Sequence, residues 1–263
     1  MTLEPIPPTS IEPKLLLLYG PPKVGKSTLL SLLQKRRPGY VFSFDPTGYS
    51  YLTAAYDYYS SSEAVIAGAR TLAALPPDQH KPQWLGLDPV GRLEDLCAES
   101  ALVTYKKRFP GTAADPGPRC VADLLALPYW SGYNYLREEF VRVLTAVGEV
   151  GLPVIFIAHV RVKALDKTEQ STNTKDLDLS FGVAKLLCST ADVIGFLSRS
   201  RAGAVSLVTT TANDSANVLN CGSRFPYLSN KTIALSEQQK DGSVVDHWER
   251  VWPSLVAIGT PPA

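Results

Sequence analysis

Short apolar runs alternate with amphipathic stretches along the first 160 residues. "KLLLLYG" (14–20) is a continuous apolar run closed by glycine, the pattern of a strand covered on both faces. "KSTLLSLLQKRR" (26–37) follows with Leu29, Leu30, Leu32 and Leu33 on one broad helical face, and "PG" at 38–39 stops it. "YVFSF" (40–44) and "QWLGLD" (83–88) read as further strands. "SSEAVIAGARTLAAL" (61–75) is a predicted helix with a serine cap, ended by Pro76 and Pro77. "RLEDLCAESALVTYKKR" (92–108) and "GYNYLREEFVRVLTAVGEVG" (132–151) are predicted helices as well, and "PVIFIA" (153–158) is a fourth strand. Strands alternating with helices across 14–158 predict an α/β fold built on a mostly parallel, twisted sheet flanked by helices.

The pattern then changes. Residues 160–180 are polar and read as a loop, and "GVAKLLCST" (182–190) reads as a short helix. "DVIGFLSR", "AVSLVTTT" and "NVLN" are strands in quick succession, which predicts an antiparallel extension at the carboxyl end of the chain. Residues 1–13 carry four prolines and form an N-terminal arm, either docked on a neighbouring protomer or disordered; residues 14–263 read as one domain.

Composition narrows the classes. Apolar residues make up 45% and charged residues 19% of the 263, with a net charge of +1, so a nucleic-acid site would have to be a local patch. Cys97, Cys120, Cys188 and Cys221 form no CxxC pair, which argues against a metal site or a disulfide framework. No apolar run approaches a membrane span, and the start "MTLEPIPPTS" lacks a signal-peptide pattern. The expectation is a cytoplasmic protein with no membrane partner.

"GPPKVGKS" (20–27) fits G-x-x-x-x-G-K-[ST] without a mismatch, between a predicted strand and a predicted helix. The stretch Gly20, Pro21, Pro22, Lys23, Val24, Gly25, Lys26, Ser27 and Thr28 is therefore the expected cradle for ATP. Gly20 and Gly25 let backbone N–H groups converge on phosphate at the positive end of the helix. Lys26 places a point charge on the outer phosphates, and Ser27 offers a hydroxyl to Mg²⁺. Asp88, at the end of "WLGLD", is the expected second metal residue, acting partly through water. "DPVG" (88–91) also fits a GTPase pattern, but "NKTI" (230–233) lacks the carboxylate that reads guanine, and no LSGGQ-like signature is present.

With these elements placed, the chain resembles the RecA-like P-loop ATPases over residues 14–235. It is most similar to the small single-domain ATPases of bacteriophages, including the Sak-type single-strand annealing proteins. "IFIAHVRVK" (155–163) carries the likeness, with Ala158 and His159 in place of the family's Asn-Gln pair; "SGYNYLREEFVRVL" and "GSRFPYLSNKTIAL" (222–235) add to it. The resemblance implies a RecA-like core, ATP and Mg²⁺ as cofactors, single-stranded DNA as partner, and a homo-oligomer, ring or filament, with ATP at the interface. It implies a DNA recombination or annealing role, in the bacterial host cytoplasm if the protein is phage-encoded. Two alternatives stand beside it: an ATPase that switches a protein partner, and a hexameric DNA-translocating motor.

For His159 the resemblance implies a nucleotide sensor; a structural histidine and a general base remain the other readings. The family's water-activating glutamate is absent, because Thr47 stands at that place in "FSFDPTGYS". Asp45, Glu63 or Glu94 would then take the role, or hydrolysis is slow, below the enzyme median of about 10 s⁻¹ without an activator. Candidate DNA contacts are Lys106, Lys107, Arg108 and Arg119 in the "YKKRFPGTAADPGPR" segment, with Tyr105 and Phe109 beside them, and Arg161, Lys163 and Lys167 in the 160–180 loop. The first segment also fits a helix end whose cations complement the dipole. Both segments are expected at the same end of the sheet. Arg199, Arg201 and Arg224 are candidates to reach a neighbour's γ-phosphate, Arg224 being preferred.

Overall fold

A computed structural model of the chain describes residues 12–76, 82–110, 124, 127, 131–164, 173–211 and 217–258. The strand Leu15–Gly20 (β1) lies at its centre, since Leu16, Leu17, Leu18 and Tyr19 are all fully buried. Alternate residues face opposite layers, as the two-residue period of a strand requires. Leu17 and Tyr19 join one apolar cluster, and Leu16 and Leu18 join another. Truncating any of these four leucine or tyrosine side chains to alanine is expected to cost about 2–5 kcal/mol.

The first layer holds the helices Ser62–Ala73 (α2), Val90–Arg108 (α3), Ser131–Glu149 (α4) and Phe181–Thr190 (α5). Helix α4 packs along both α2 and α3. The second layer holds the helix Lys26–Arg36 (α1) and the end of the chain, where two short 3-10 turns (Trp248–Arg250 and Pro253–Ile258) cover it. Trp248 and Trp252 are fully buried there, and their indole N–H groups donate to the Leu29 and Pro13 carbonyls at 3.0 and 2.8 Å. Glu12 accepts from Ser254, so residues 12–13 of the N-terminal arm dock on their own chain; residues 1–11 lie outside the described residues.

Besides β1, the parallel part of the sheet is made of Tyr40–Ser43 (β2), Tyr56–Tyr58 (β3), Leu85–Asp88 (β4), Val154–Ala164 (β5) and Val193–Arg199 (β7). Their order is β7-β1-β5-β4-β2-β3, all parallel. Val205–Val208 (β8), Thr232–Gln238 (β11) and Val244–Asp246 (β12) continue from β7 as an antiparallel extension. "NVLN" does not join that extension. Its strand, Asn217–Leu219 (β9), pairs with Asn173–Leu177 (β6), and the two-residue Gly222–Ser223 (β10) pairs with β7.

One expectation changes. The 160–180 region is not a plain loop: β5 runs on to Ala164 and returns as β6 in an antiparallel ladder, Val160 opposite Leu177 and Ala164 opposite Asn173. Residues 165–172 lie outside the described residues. The described ends of the two candidate DNA segments lie on one side of the sheet. Helix α3 starts beside Asp88, at the carboxyl ends of the strands, and its last turn stays on that side: Tyr105 packs edge-on against Tyr135 near the start of α4, ring centroids 5.4 Å apart, while the far end of α4 leads into the first residue of β5.

Candidate nucleotide site

In a parallel sheet the ligand-binding crevice opens beyond the carboxyl ends of the strands, where the order reverses. Here β1 is flanked by β5 on one side and β7 on the other, so the loop after β1 rises at that reversal. Gly20 must be glycine, because a Cβ there would stand 2.7 Å from the Leu197 carbonyl oxygen. Gly25 has φ +108, a left-handed value that side chains rarely adopt, and it turns the loop into α1. The first-turn N–H groups of Lys26, Ser27 and Thr28 then point out of the helix without intrahelical partners.

Strand parity brings the other side chains to the α1 face. Leu85 and Leu87 pack into the α2–α3 layer, which turns Asp88 toward α1; Ile155 and Ile157 pack on the α1 side, which turns His159 the same way. Ser27 Oγ donates to Asp88 Oδ2 at 2.6 Å, and Tyr49 OH donates to the same oxygen at 2.7 Å. Lys26 Nζ donates to the carbonyls of Gly20 and Pro21 at 2.9 and 2.8 Å and lies 3.3 Å from His159 Nδ1. Asp88 and Lys26 are 5% and 6% exposed, so neither charge is screened by bulk water. Burial lowers the Lys26 amine from its usual 10.5 to about 8, and the Asp88 carboxylate only partly opposes this. Burial also raises Asp88 and Tyr49, so the Tyr49 phenol keeps its proton and is the donor of the pair.

His159 is held below its ordinary value, first by burial and then by the Lys26 charge, so the ring is neutral near pH 7. An ammonium only donates. Its approach to Nδ1 therefore places the ring proton on Nε2, which can donate to a phosphate oxygen or a water in the cavity.

The cavity has a volume of about 350 Å³. Pro22, Lys23 and Gly25 to Thr28 line it from the loop, with Asp45, Tyr49, Asp88 and His159 opposite. Gly20, Pro21 and Val24 do not line it; Val24 is buried beneath, and Pro21 and Pro22 carry no N–H to offer. Residues Ser27 and Asp88, in contact with each other on the wall of the cavity, form a hard-oxygen donor set that suits Mg²⁺. Bound there, the ion would neutralise phosphate charge; Ser27 Oγ would hold it directly and Asp88 through water.

Two lining residues lie outside the expected set. Tyr51, 73% exposed, stands on the rim of the cavity, and Arg199 at the end of β7 lines it from the side opposite β5. Arg199, a candidate to reach a neighbour's γ-phosphate, lines the cavity of its own chain. Tyr49 and Tyr51 follow a turn with no sequence signal for either role.

The other candidates are placed as follows. Asp45 lines this cavity and an adjoining cleft of about 600 Å³, and its Oδ1 accepts from Thr47 N and Oγ at 2.9 and 3.0 Å. Glu94 faces only the cleft, where it accepts from the Ser180 N–H at the start of α5, at 2.9 Å. Glu63 is remote from the cavity, bonded to Ser100 and Arg142 among α2, α3 and α4. Arg224 is at the amino end of the sheet: it donates to the Ser189 carbonyl at 2.9 Å and pairs with Asp192, whose other oxygen accepts from Lys14 N and Leu15 N at the start of β1. It sits at the opposite end from its own nucleotide loop because β10 runs antiparallel to β7 and delivers it beside the first residues of that strand.

Lys106, Lys107 and Arg108 form the last turn of α3, where cations offset the helix dipole, and Arg108 lies 5.9 Å over the Phe109 ring. Arg161 lines the cleft and donates to the Leu179 carbonyl. Arg119, Lys167 and the side chain of Lys163 lie outside the described residues. Among the described residues, no helix is long and apolar enough to cross a membrane.

A comparison with protein families gives a match to the AAA domain over residues 12–230. The chain belongs to the AAA domain family. That span takes in the phosphate loop, Asp88, the β5–β6 hairpin and β7, so the AAA domain contains every element of the cavity. The protein is accordingly a nucleotide-binding P-loop protein of ATPase type. None of the curated proteins compared with the chain matches it.

Proposed function

We propose that the protein is a RecA-like ATPase that binds single-stranded DNA under the control of Mg²⁺–ATP, in recombination or strand annealing, as a ring or filament with ATP near protomer contacts. The observation that carries this reading is the course of β5. It lies between the strand of the phosphate loop and the strand of Asp88, puts His159 3.3 Å from Lys26, and continues without a break into the hairpin that bears Arg161. The Asp178 N–H donates to the His159 carbonyl at 2.9 Å, so the returning strand is fastened at the same residue. A change in what His159 Nε2 meets is thereby transmitted to a rigid ladder rather than to a slack loop. A phage origin fits the same resemblance.

A protein partner in place of DNA is the second reading, and two observations favour it. The described part of the hairpin carries Arg161, Lys163 and Lys175 against Asp176, with Asp178 just beyond it, and the cations at the end of α3 sit in its last turn, where they offset the helix dipole. Single-stranded DNA binding measured with and without ATP across a salt series separates the two. Nucleotide-dependent binding with a steep negative salt slope supports the DNA reading. Failure to bind at low salt, with ATP binding intact, excludes it in favour of the partner switch.

A further inference from the structure

We infer that Tyr49 is a positioning residue for the metal: with Ser27 it pins one oxygen of Asp88 and so presents the other to the Mg²⁺ of a bound nucleotide. The inference rests on the nucleotide-site reading above. Both donors converge on Oδ2, Ser27 at 2.6 Å and Tyr49 at 2.7 Å. Among the described residues none donates to Oδ1. A carboxylate held by two donors on one oxygen cannot rotate about its Cβ–Cγ bond without breaking both bonds, and hydrogen bonds to a charged group are the strong ones. Ser27 alone would make a weak fixture, because its hydroxyl oxygen must also face the cation. While its proton points at Asp88, its lone pairs are turned away from the carboxylate, which is the orientation a metal ligand needs. Tyr49 has no such second duty.

The local structure is built for this. Asp45 accepts from Thr47 and Gly48, Ser50 N donates to the Thr47 carbonyl, and Leu52 N donates to the Tyr49 carbonyl. These successive turns send Tyr49 inward and Tyr51 outward. The Tyr49 ring is 1% exposed, and its centroid lies 5.3 Å from that of Tyr56, so the hydroxyl is delivered by a packed ring rather than a free side chain. Removing only the hydroxyl leaves that packing in place.

The test is a titration of Mg²⁺ into the full-length protein with a fluorescent ATP analogue, supported by Mn²⁺ binding followed by electron paramagnetic resonance. The expected result for Tyr49→Phe is nucleotide affinity in EDTA within about twofold of the wild type, with the Mg²⁺ half-saturation point and the Mn²⁺ affinity weakened roughly tenfold, the effect of one charge-assisted hydrogen bond. In an Asp88→Asn background the same substitution should add no further shift, because the group it positions is gone. An unshifted Mg²⁺ dependence in Tyr49→Phe, or equal losses with and without Mg²⁺, overturns the inference while leaving the site intact. A wild-type protein whose nucleotide binding ignores Mg²⁺ overturns both.

Discussion

The two ends of the sheet use charge differently. At the carboxyl end, Lys26 and Asp88 are nearly fully buried, their ionisation is displaced by that burial, and their partners are a neutral histidine, two hydroxyls and loop carbonyls. At the amino end, Arg224 is 61% exposed and its partners, Asp192 and a helix-end carbonyl, satisfy it locally. Burying a charge without full neutralisation is costly, so an arrangement that keeps such charges facing a polar cavity is the mark of a ligand site. The exposed, locally satisfied cluster is a joint that fastens β1, β7 and α5 together.

The comparison breaks most visibly at Lys26. Lys26→Ala should lower ATP affinity by about a hundredfold or more, in equilibrium titration with a labelled nucleotide, as loss of a charge-assisted contact to the outer phosphates. Next comes Asp45, the carboxylate that opens into both cavity and cleft. Asp45→Asn should cut turnover by roughly a hundredfold with KM little changed, whereas Glu63→Gln should stay within about twofold, because Glu63 is bonded among the helices. Arg199→Ala should weaken nucleotide binding about tenfold in the isolated protomer, as expected of a cation lining its own cavity.

A pH series sharpens the same contrast. With Lys26 lowered to about 8 in the folded chain against 10.5 when unfolded, the unfolded state holds the extra proton between those values. Stability from this group therefore rises with pH across that window. ATP binding needs the charged amine, so affinity should fall across the same window; thermal melts and nucleotide titrations from pH 7 to 9.5 check both signs. The smallest effect belongs to the amino end. Arg224→Ala should leave protomer ATP affinity within about twofold and cost under about 1 kcal/mol, read by denaturant unfolding, since its ion pair is exposed.

The carboxyl end was legible in sequence where its parts are contiguous. Residues 20–28 lie side by side in the chain, and Asp88 and His159 are each the last step of an apolar run whose period fixes the side they face. Tyr49 and Arg199 were not legible in their roles, because each reaches the cavity only through a tertiary approach across 39 and more residues and no local pattern encodes it. The strands β3, β6, β11 and β12 were not read as strands: β3 and β12 are three-residue edge segments, and β6 is polar and takes its pairing from β5 and β9.

His159 is the proposed link between nucleotide and hairpin. Hydrogen exchange across residues 160–178, measured with and without Mg²⁺–ATP in wild type and His159→Ala, tests it directly. ATP should slow exchange in the wild-type hairpin, and the variant should bind ATP with near-normal affinity but show no such protection. Equal protection in the variant would contradict it, leaving His159 as a packed residue beside the site.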